Sequence, residues 1–153
     1  MRRKVGISSA EAGDAELIKR LLGAMRHAEA DFALTFRSLS QVAESPGEPT
    51  RWRALFAESP ELDGWLRDWQ ERLAGDPQSM SDRVASMRAV NPAFIPRNHR
   101  VQAALDAAES GDYTLFRKLL GILQHPYDDQ PEAAAYALPP QPSERVLQTF
   151  CGT

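Results

Sequence analysis

Ser59-Pro60-Glu61-Leu62-Asp63-Gly64-Trp65-Leu66-Arg67-Asp68-Trp69-Gln70-Glu71-Arg72-Leu73, stopped by Gly75-Asp76-Pro77, is the stretch that decides the fold class. Leu62, Trp65, Leu66, Trp69 and Leu73 recur every three or four residues, the spacing of one helix face, while the alternation a half-buried strand needs is absent. Ser59 can accept backbone N–H groups as an N-cap, and Pro60 suits the first helical position, where no donor is missed. Pro77 ends the segment, since proline cannot donate the helix bond. Two of the three tryptophans lie on this face together with three leucines. The aromatic series Trp52, Phe56, Trp65 and Trp69 could form a binding stripe, but helical spacing favours core packing.

The same period extends in both directions. Leu17, Leu21, Leu22 and Met25 follow Asp14, an N-cap candidate, and predict a first helix. Phe32, Phe36 and Leu39 follow Asp31 and predict a second, which Ser45-Pro46-Gly47-Glu48-Pro49 breaks. Trp52, Leu55 and Phe56 begin a third ahead of the decisive fourth. Ser79 and Asp82 have capping-box spacing, with Asp for the usual Glu, before Val84 and Met87, and that helix should end before Asn91-Pro92. Pro92 and Pro96 hold a short extended link. Val101, Leu105 and Ala108 then form a helix closed by Gly111, and Asp112 caps another with Leu115, Phe116, Leu119, Leu120 and Leu123. This last pair reads as an antiparallel hairpin.

The expected fold is all-α: six to seven helices in an irregular orthogonal and antiparallel bundle over residues 1–125. Pro126, Pro131, Pro139, Pro140 and Pro142 make residues 126–153 an extended, mostly irregular, proline-rich tail. At 153 residues the chain can bury roughly 68–70% of the surface its unfolded form exposes. Hydrophobic residues at 42% and charged residues at 25% give ordinary globular composition rather than the pattern of disorder.

A net charge of -3 offers no overall basic field for phosphate backbones, so nucleic acid is not an expected partner. Met1-Arg2-Arg3-Lys4 resembles the charged start of a signal peptide, but Ser8, Ser9, Glu11 and Asp14 occupy the place of its apolar core. No run of 18 apolar residues exists, so no membrane span is expected. A single cysteine, Cys151, excludes an intramolecular disulfide and favours a reducing compartment, which places the chain in the cytoplasm.

Phosphate-binding, dinucleotide-binding, zinc-protease, dithiol and nucleophile-elbow signatures are all missing from the sequence. His27, His99 and His125 sit on separate elements, whereas a metal site needs at least three convergent ligands, so structural or surface roles are expected. The carboxylate pairs Glu29/Asp31 and Asp128/Asp129 fall where capping or solvated acids are common. Arg83, Arg88, Arg97 and Arg100 lie in an eighteen-residue stretch, 83 to 100, without any acid. Guanidinium groups there suit phosphate or an acidic partner, or form a solvated face with contacts to helix carbonyl ends; the second reading is the simpler. Cys151, third from the end after the proline-rich tail, offers either a mobile redox thiol or an unactivated free thiol disfavoured as thiolate by the nearby terminal carboxylate.

Several blocks carry a resemblance: Asp31-Phe32-Ala33-Leu34-Thr35-Phe36-Arg37-Ser38-Leu39-Ser40, Met87-Arg88-Ala89-Val90-Asn91-Pro92-Ala93-Phe94-Ile95-Pro96-Arg97-Asn98-His99, Pro126-Tyr127 with Tyr136-Ala137, and Phe150-Cys151-Gly152-Thr153. Together with Met1-Arg2-Arg3-Lys4-Val5-Gly6 they resemble the C-terminal region of the selenoprotein O family. The resemblance implies a longer, kinase-like parent that transfers AMP from ATP to protein Ser, Thr or Tyr hydroxyls with Mg²⁺. It also implies that the glycine-rich loop, nucleotide-binding lysine and metal-binding acids precede this region. No catalytic, cofactor-binding or metal-binding residue is therefore expected in this chain, which alone would be inactive and structural or redox-regulatory. The expected partners are the kinase-like domain, which the Arg83–Arg100 stretch could contact, and, through the parent, its protein substrates. Cys151 matches the family's near-terminal redox cysteine. A free-standing, non-catalytic helical interaction module is the alternative.

Overall fold

A computed structural model of the chain describes residues 1–47, 49–56 and 60–146. The α-helices are α1 (Asp14–His27), α2 (Phe32–Glu44), α3 (Thr50–Arg53), α4 (Pro60–Ala74), α5 (Met80–Arg88), α6 (Asn98–Glu109), α7 (Thr114–Gln124) and α8 (Ala134–Ala137). Among the described residues there is no strand, and the chain is all-α. Among the described residues no helix is long and apolar enough to cross a membrane. The chain divides into two compact units, Met1–Pro92 and Ala93–Thr153.

In the first unit α1 packs against α4, and α2 against α5 and the one-turn α3. The tryptophans form a continuous stack: Trp52 and Trp65 have ring centroids 5.6 Å apart, Trp65 and Trp69 5.7 Å. All three are buried, so each indole N–H needs an acceptor inside. Trp52 Nε1 donates to Thr35 O at 3.1 Å, Trp65 Nε1 to Leu17 O at 2.8 Å and Trp69 Nε1 to Val5 O at 2.8 Å. The aromatic stripe is thus core, and it pins α4 to α1 and to the N-terminal segment. Around it Val5, Ile7, Leu21, Phe36, Leu39 and Met87 are all but inaccessible.

The capping residues behave as their chemistry requires. Asp31 accepts the Leu34 N–H at 2.9 Å, and Ser79 accepts the Asp82 N–H at 3.2 Å. Asp14 is different: the N-cap position is Gly13, and Asp14 is the first residue of α1, turned inward and buried. The 3-10 turn Arg2–Val5 ends at Gly6, whose φ of 76° is left-handed. A Cβ there would meet Met87 Sδ at 2.8 Å and Arg83 Cγ at 3.0 Å, so close approach as well as φ demands glycine.

The second unit is built on the α6–α7 hairpin. Gly111, at φ 85°, lets the Asp112 N–H reach Ala107 O (3.0 Å) and its own N–H reach Ala108 O (2.9 Å), a Schellman closure. Asp112 Oδ1 then accepts the Thr114 N–H and starts α7. A small core of Phe94, Ile122 and Ala133, flanked by Tyr136 and Ala137, ties the link and the residues after Pro126 to α7. Residues 126–146 are more ordered than their proline content suggests. Pro131–Ala133 and Pro142–Glu144 are 3-10 turns with proline at the first helical position, where its fixed φ suits a turn and its missing donor costs nothing.

Candidate functional site

The four arginines of the acid-free stretch have separate surroundings. Arg83 is buried: Nε donates to Gly6 O at 3.1 Å, and Nη2 to the carbonyls of Leu73 (2.9 Å), Gln78 (3.2 Å) and Asp76 (3.4 Å), closing the carbonyl end of α4. Arg88 is partly exposed and pairs with Glu44 at 2.9 Å. Arg100 donates to Ala135 O at 3.1 Å and lies over the Tyr136 ring, 5.4 Å from its centroid. Arg97 is buried at the N-cap position of α6. Cys151 lies outside the described residues. His27 and His125 are exposed, His125 beside Asp128, and among the described residues no three acids, histidines or cysteines converge on a metal position.

Two polar clusters emerge from the packing. The first joins the N-terminal segment to α4. Asp76 accepts the Ser8 and Ser9 amides at 2.9 and 3.0 Å, both serine hydroxyls at 2.8 and 3.0 Å, and the Gln78 amide at 3.2 Å. Burial pushes its pKa up, but these bonds outweigh it and hold the carboxyl far below the ordinary carboxylate range. Arg72 bridges to Asp14 at 2.8 Å and also donates to Ser9 O. Asp14 follows the same balance, with burial opposed by the Arg72 and Glu11 hydrogen bonds, and its pKa is lowered. The donors are turned onto internal acceptors, with Arg72 Nη1 facing the Glu11 carboxylate at 3.1 Å, so this cluster holds structure together. The sequence showed Ser8-Ser9 and Gly75-Asp76-Pro77 only as interruptions; pairing across sixty-seven positions leaves no local signal.

The second cluster is the Ile95-Pro96-Arg97-Asn98-His99 block. Pro126 O accepts the Ala93 and Phe94 amides at 2.8 and 3.1 Å, which fixes the entry of the link into the second unit. Pro96 is followed directly by Arg97, and α6 begins at Asn98. Here a pocket of about 430 Å³ opens, lined by this block together with Pro140, Arg145 and Val146. His99 is 7% exposed, and neither ring nitrogen has a hydrogen-bond partner. Burial first, then the fields of Arg100 and Arg97, lower its pKa despite the opposing field of Glu144, so the ring is held neutral.

Elsewhere the α6–α7 hairpin exposes Leu105, Phe116 and Leu120, which line a wholly apolar groove with Val101, Ala104 and Leu119.

The family model described as protein adenylyltransferase SelO matches residues 1–124. Across its whole length the chain is 56% identical to the protein nucleotidyltransferase YdiU of Rhodopseudomonas palustris (strain BisB18). It is 54% identical to the protein of that name from Bradyrhizobium sp. (strain BTAi1 / ATCC BAA-1182), and 53% to that from Rhizobium leguminosarum bv. trifolii (strain WSM2304). In each case it covers 31% of the relative, so the chain spans about a third of the length of the curated relatives it matches. The resemblance read from the Asp31 and Met87–His99 blocks and the match over residues 1–124 agree, and the chain belongs to the SelO family of protein adenylyltransferases.

Proposed function

We propose that this chain is the C-terminal helical portion of a SelO-like protein adenylyltransferase and that it serves the kinase-like part of that protein as a structural and redox-regulatory element. The parent would transfer AMP from ATP, with Mg²⁺, to Ser, Thr or Tyr hydroxyls of proteins in the cytoplasm. The carrying observation is the length relation: identity above half over the whole chain, against relatives about three times as long. The sequence contains no glycine-rich phosphate loop, which phosphoryl-type transfer relies on to cradle a nucleotide. The described acids Asp14 and Asp76 are committed to serine and arginine donors inside the first unit, and so are poorly placed to hold a metal.

In this reading the exposed apolar face of α6 and α7 is a surface for the remainder of the parent. Leu105, Phe116 and Leu120 are each more than a third accessible, an arrangement typical of an interaction face. Cys151 would supply the regulatory thiol, by pairing with a cysteine of the kinase-like part. The same apolar face suits a free-standing helical interaction module, the second reading.

The two readings part on one experiment. This chain is mixed with the unmatched two thirds of the Rhodopseudomonas palustris relative and followed by size-exclusion chromatography with light scattering. A 1:1 complex that Leu120→Glu abolishes supports the proposed role. Independent elution of two well-folded pieces contradicts it and favours the free-standing module.

A further inference from the structure

The α6–α7 hairpin buries one side of each helix and leaves the other open. Of the eleven residues of α7, Leu119 and Ile122 are buried, while Leu115, Phe116 and Leu120 are each more than a third exposed. On the open side Ala104 and Leu119 form the floor of a groove, Leu105, Phe116 and Leu120 are among its walls, and no polar side chain lines it. A groove between two antiparallel helices accepts a further helix, packed ridges into grooves. Its edges carry opposite charge. On α6 exposed Asp106 directly follows Leu105 and accepts the Gln102 side-chain amide at 2.7 Å, and exposed Glu109 lies one turn beyond Leu105. On α7 exposed Arg117 directly follows Phe116, one turn before Leu120. Lys118 is turned the other way, 5.3 Å from the centre of the Tyr136 ring. An anionic membrane surface suits this rim poorly, since its acids outnumber its cation.

We infer that this groove binds a second copy of the chain, the two hairpins closing into an antiparallel four-helix bundle about a two-fold axis parallel to the helices. Charge decides both the occupant and the arrangement. That axis lays α6 of each copy along α7 of the other, so each Asp106 and Glu109 edge meets Arg117 of the other copy. A two-fold axis across the helices sets α6 on α6 and α7 on α7, with acid facing acid and Arg117 facing Arg117, and is disfavoured. The face is thus its own electrostatic complement, as an isologous interface requires. This goes beyond the proposed role and concerns the chain by itself; the remainder of the parent, seated on the same face, would exclude the second copy.

The whole chain, with no parent domain present and so independently of the proposed role, is followed by sedimentation equilibrium over a dilution series at low ionic strength. A reversible transition between 17.0 kDa and twice that mass is expected. Leu120→Glu changes an exposed side chain and should give a monomer with an unchanged circular dichroism spectrum. Arg117→Glu should weaken the dimer about tenfold, because the edge pairs, present twice in the dimer, turn repulsive. Adding Asp106→Lys and Glu109→Lys to Arg117→Glu reverses both edges and should restore association. A monomer at every concentration would overturn the inference, as would an open series of larger species or a dimer that persists in Leu120→Glu. So would a dimer insensitive to Arg117→Glu, or one that the added lysines do not restore.

Discussion

Replacing Asp76 by Asn tests the packing argument most sharply, because one carboxylate organises a chain segment sixty-seven residues away. Asn keeps the size but removes the charge, and it offers one acceptor oxygen where two now receive five N–H or O–H donors. The Arg83 guanidinium group, 3.5 Å away, loses its counter-charge, whereas Arg72, 3.8 Å away, keeps Asp14 and Glu11. Removing one partner of a buried, hydrogen-bonded ion pair costs about 3–5 kcal/mol. With a urea dependence of about 2 kcal/mol per molar, the midpoint should fall by roughly 2 M. Tryptophan fluorescence is a suitable probe, since Trp52, Trp65 and Trp69 all lie in the first unit. The pH dependence has a defined sign. The folded-state pKa lies below the unfolded value, so the stabilisation is complete above the unfolded carboxyl pKa and is lost as pH falls toward the folded one. The gap between wild type and Asp76→Asn should narrow by about 1.4 kcal/mol for each pH unit below roughly 4. A loss under about 1 kcal/mol at pH 7, or a gap that does not narrow in acid, would refute the reasoning.

Two further expectations follow from the same structure. Trp69→Ala removes the end of the indole stack and leaves Val5 O without its donor; a loss of about 3–5 kcal/mol is expected in urea unfolding, and a loss near 1 kcal/mol would mean the stack contributes little. In chloride buffer the His99 imidazole should titrate below its ordinary value of about 6.5, and the second unit should lose stability as pH drops through that range, because the unfolded chain then binds the extra proton; an NMR titration midpoint above 6.5 contradicts this.

How much was legible follows from how local each interaction is. The α4 face, the Asp31 and Ser79 caps and the Gly111 stop are set within one or two turns, and the spacing of Leu62, Trp65, Trp69 and Leu73 declared them. Asp14 carried the same local signature as a cap but is claimed by Arg72, fifty-eight residues later, so local capping chemistry lost to a tertiary ion pair. Leu22, Phe32, Leu105, Phe116 and Leu120 fit helical spacing, yet they are exposed, since a stripe wider than its neighbour leaves its edges uncovered. Arg83 and Arg97 illustrate the limit for sites: a solvated face or contacts to helix carbonyl ends was the simpler reading, and Arg83 does lie on helix carbonyls, but both side chains are buried, Arg97 beside a pocket. A run without acids shows where positive charge accumulates along the chain but not which side chains fold inward. His99 stood in the sequence as one of three scattered histidines and as the end of the Met87–His99 block, and neither shows that its ring is buried.

The central claim, that this chain is a non-catalytic helical portion of an adenylyltransferase, is tested most directly by transfer of labelled AMP. The folded chain, checked by circular dichroism, is incubated with Mg²⁺ and α-labelled ATP, alone and with a generic protein acceptor, beside the full-length Rhodopseudomonas palustris relative. Label on protein hydroxyls is expected with the full-length relative and none with this chain. Transfer by this chain alone would contradict the account.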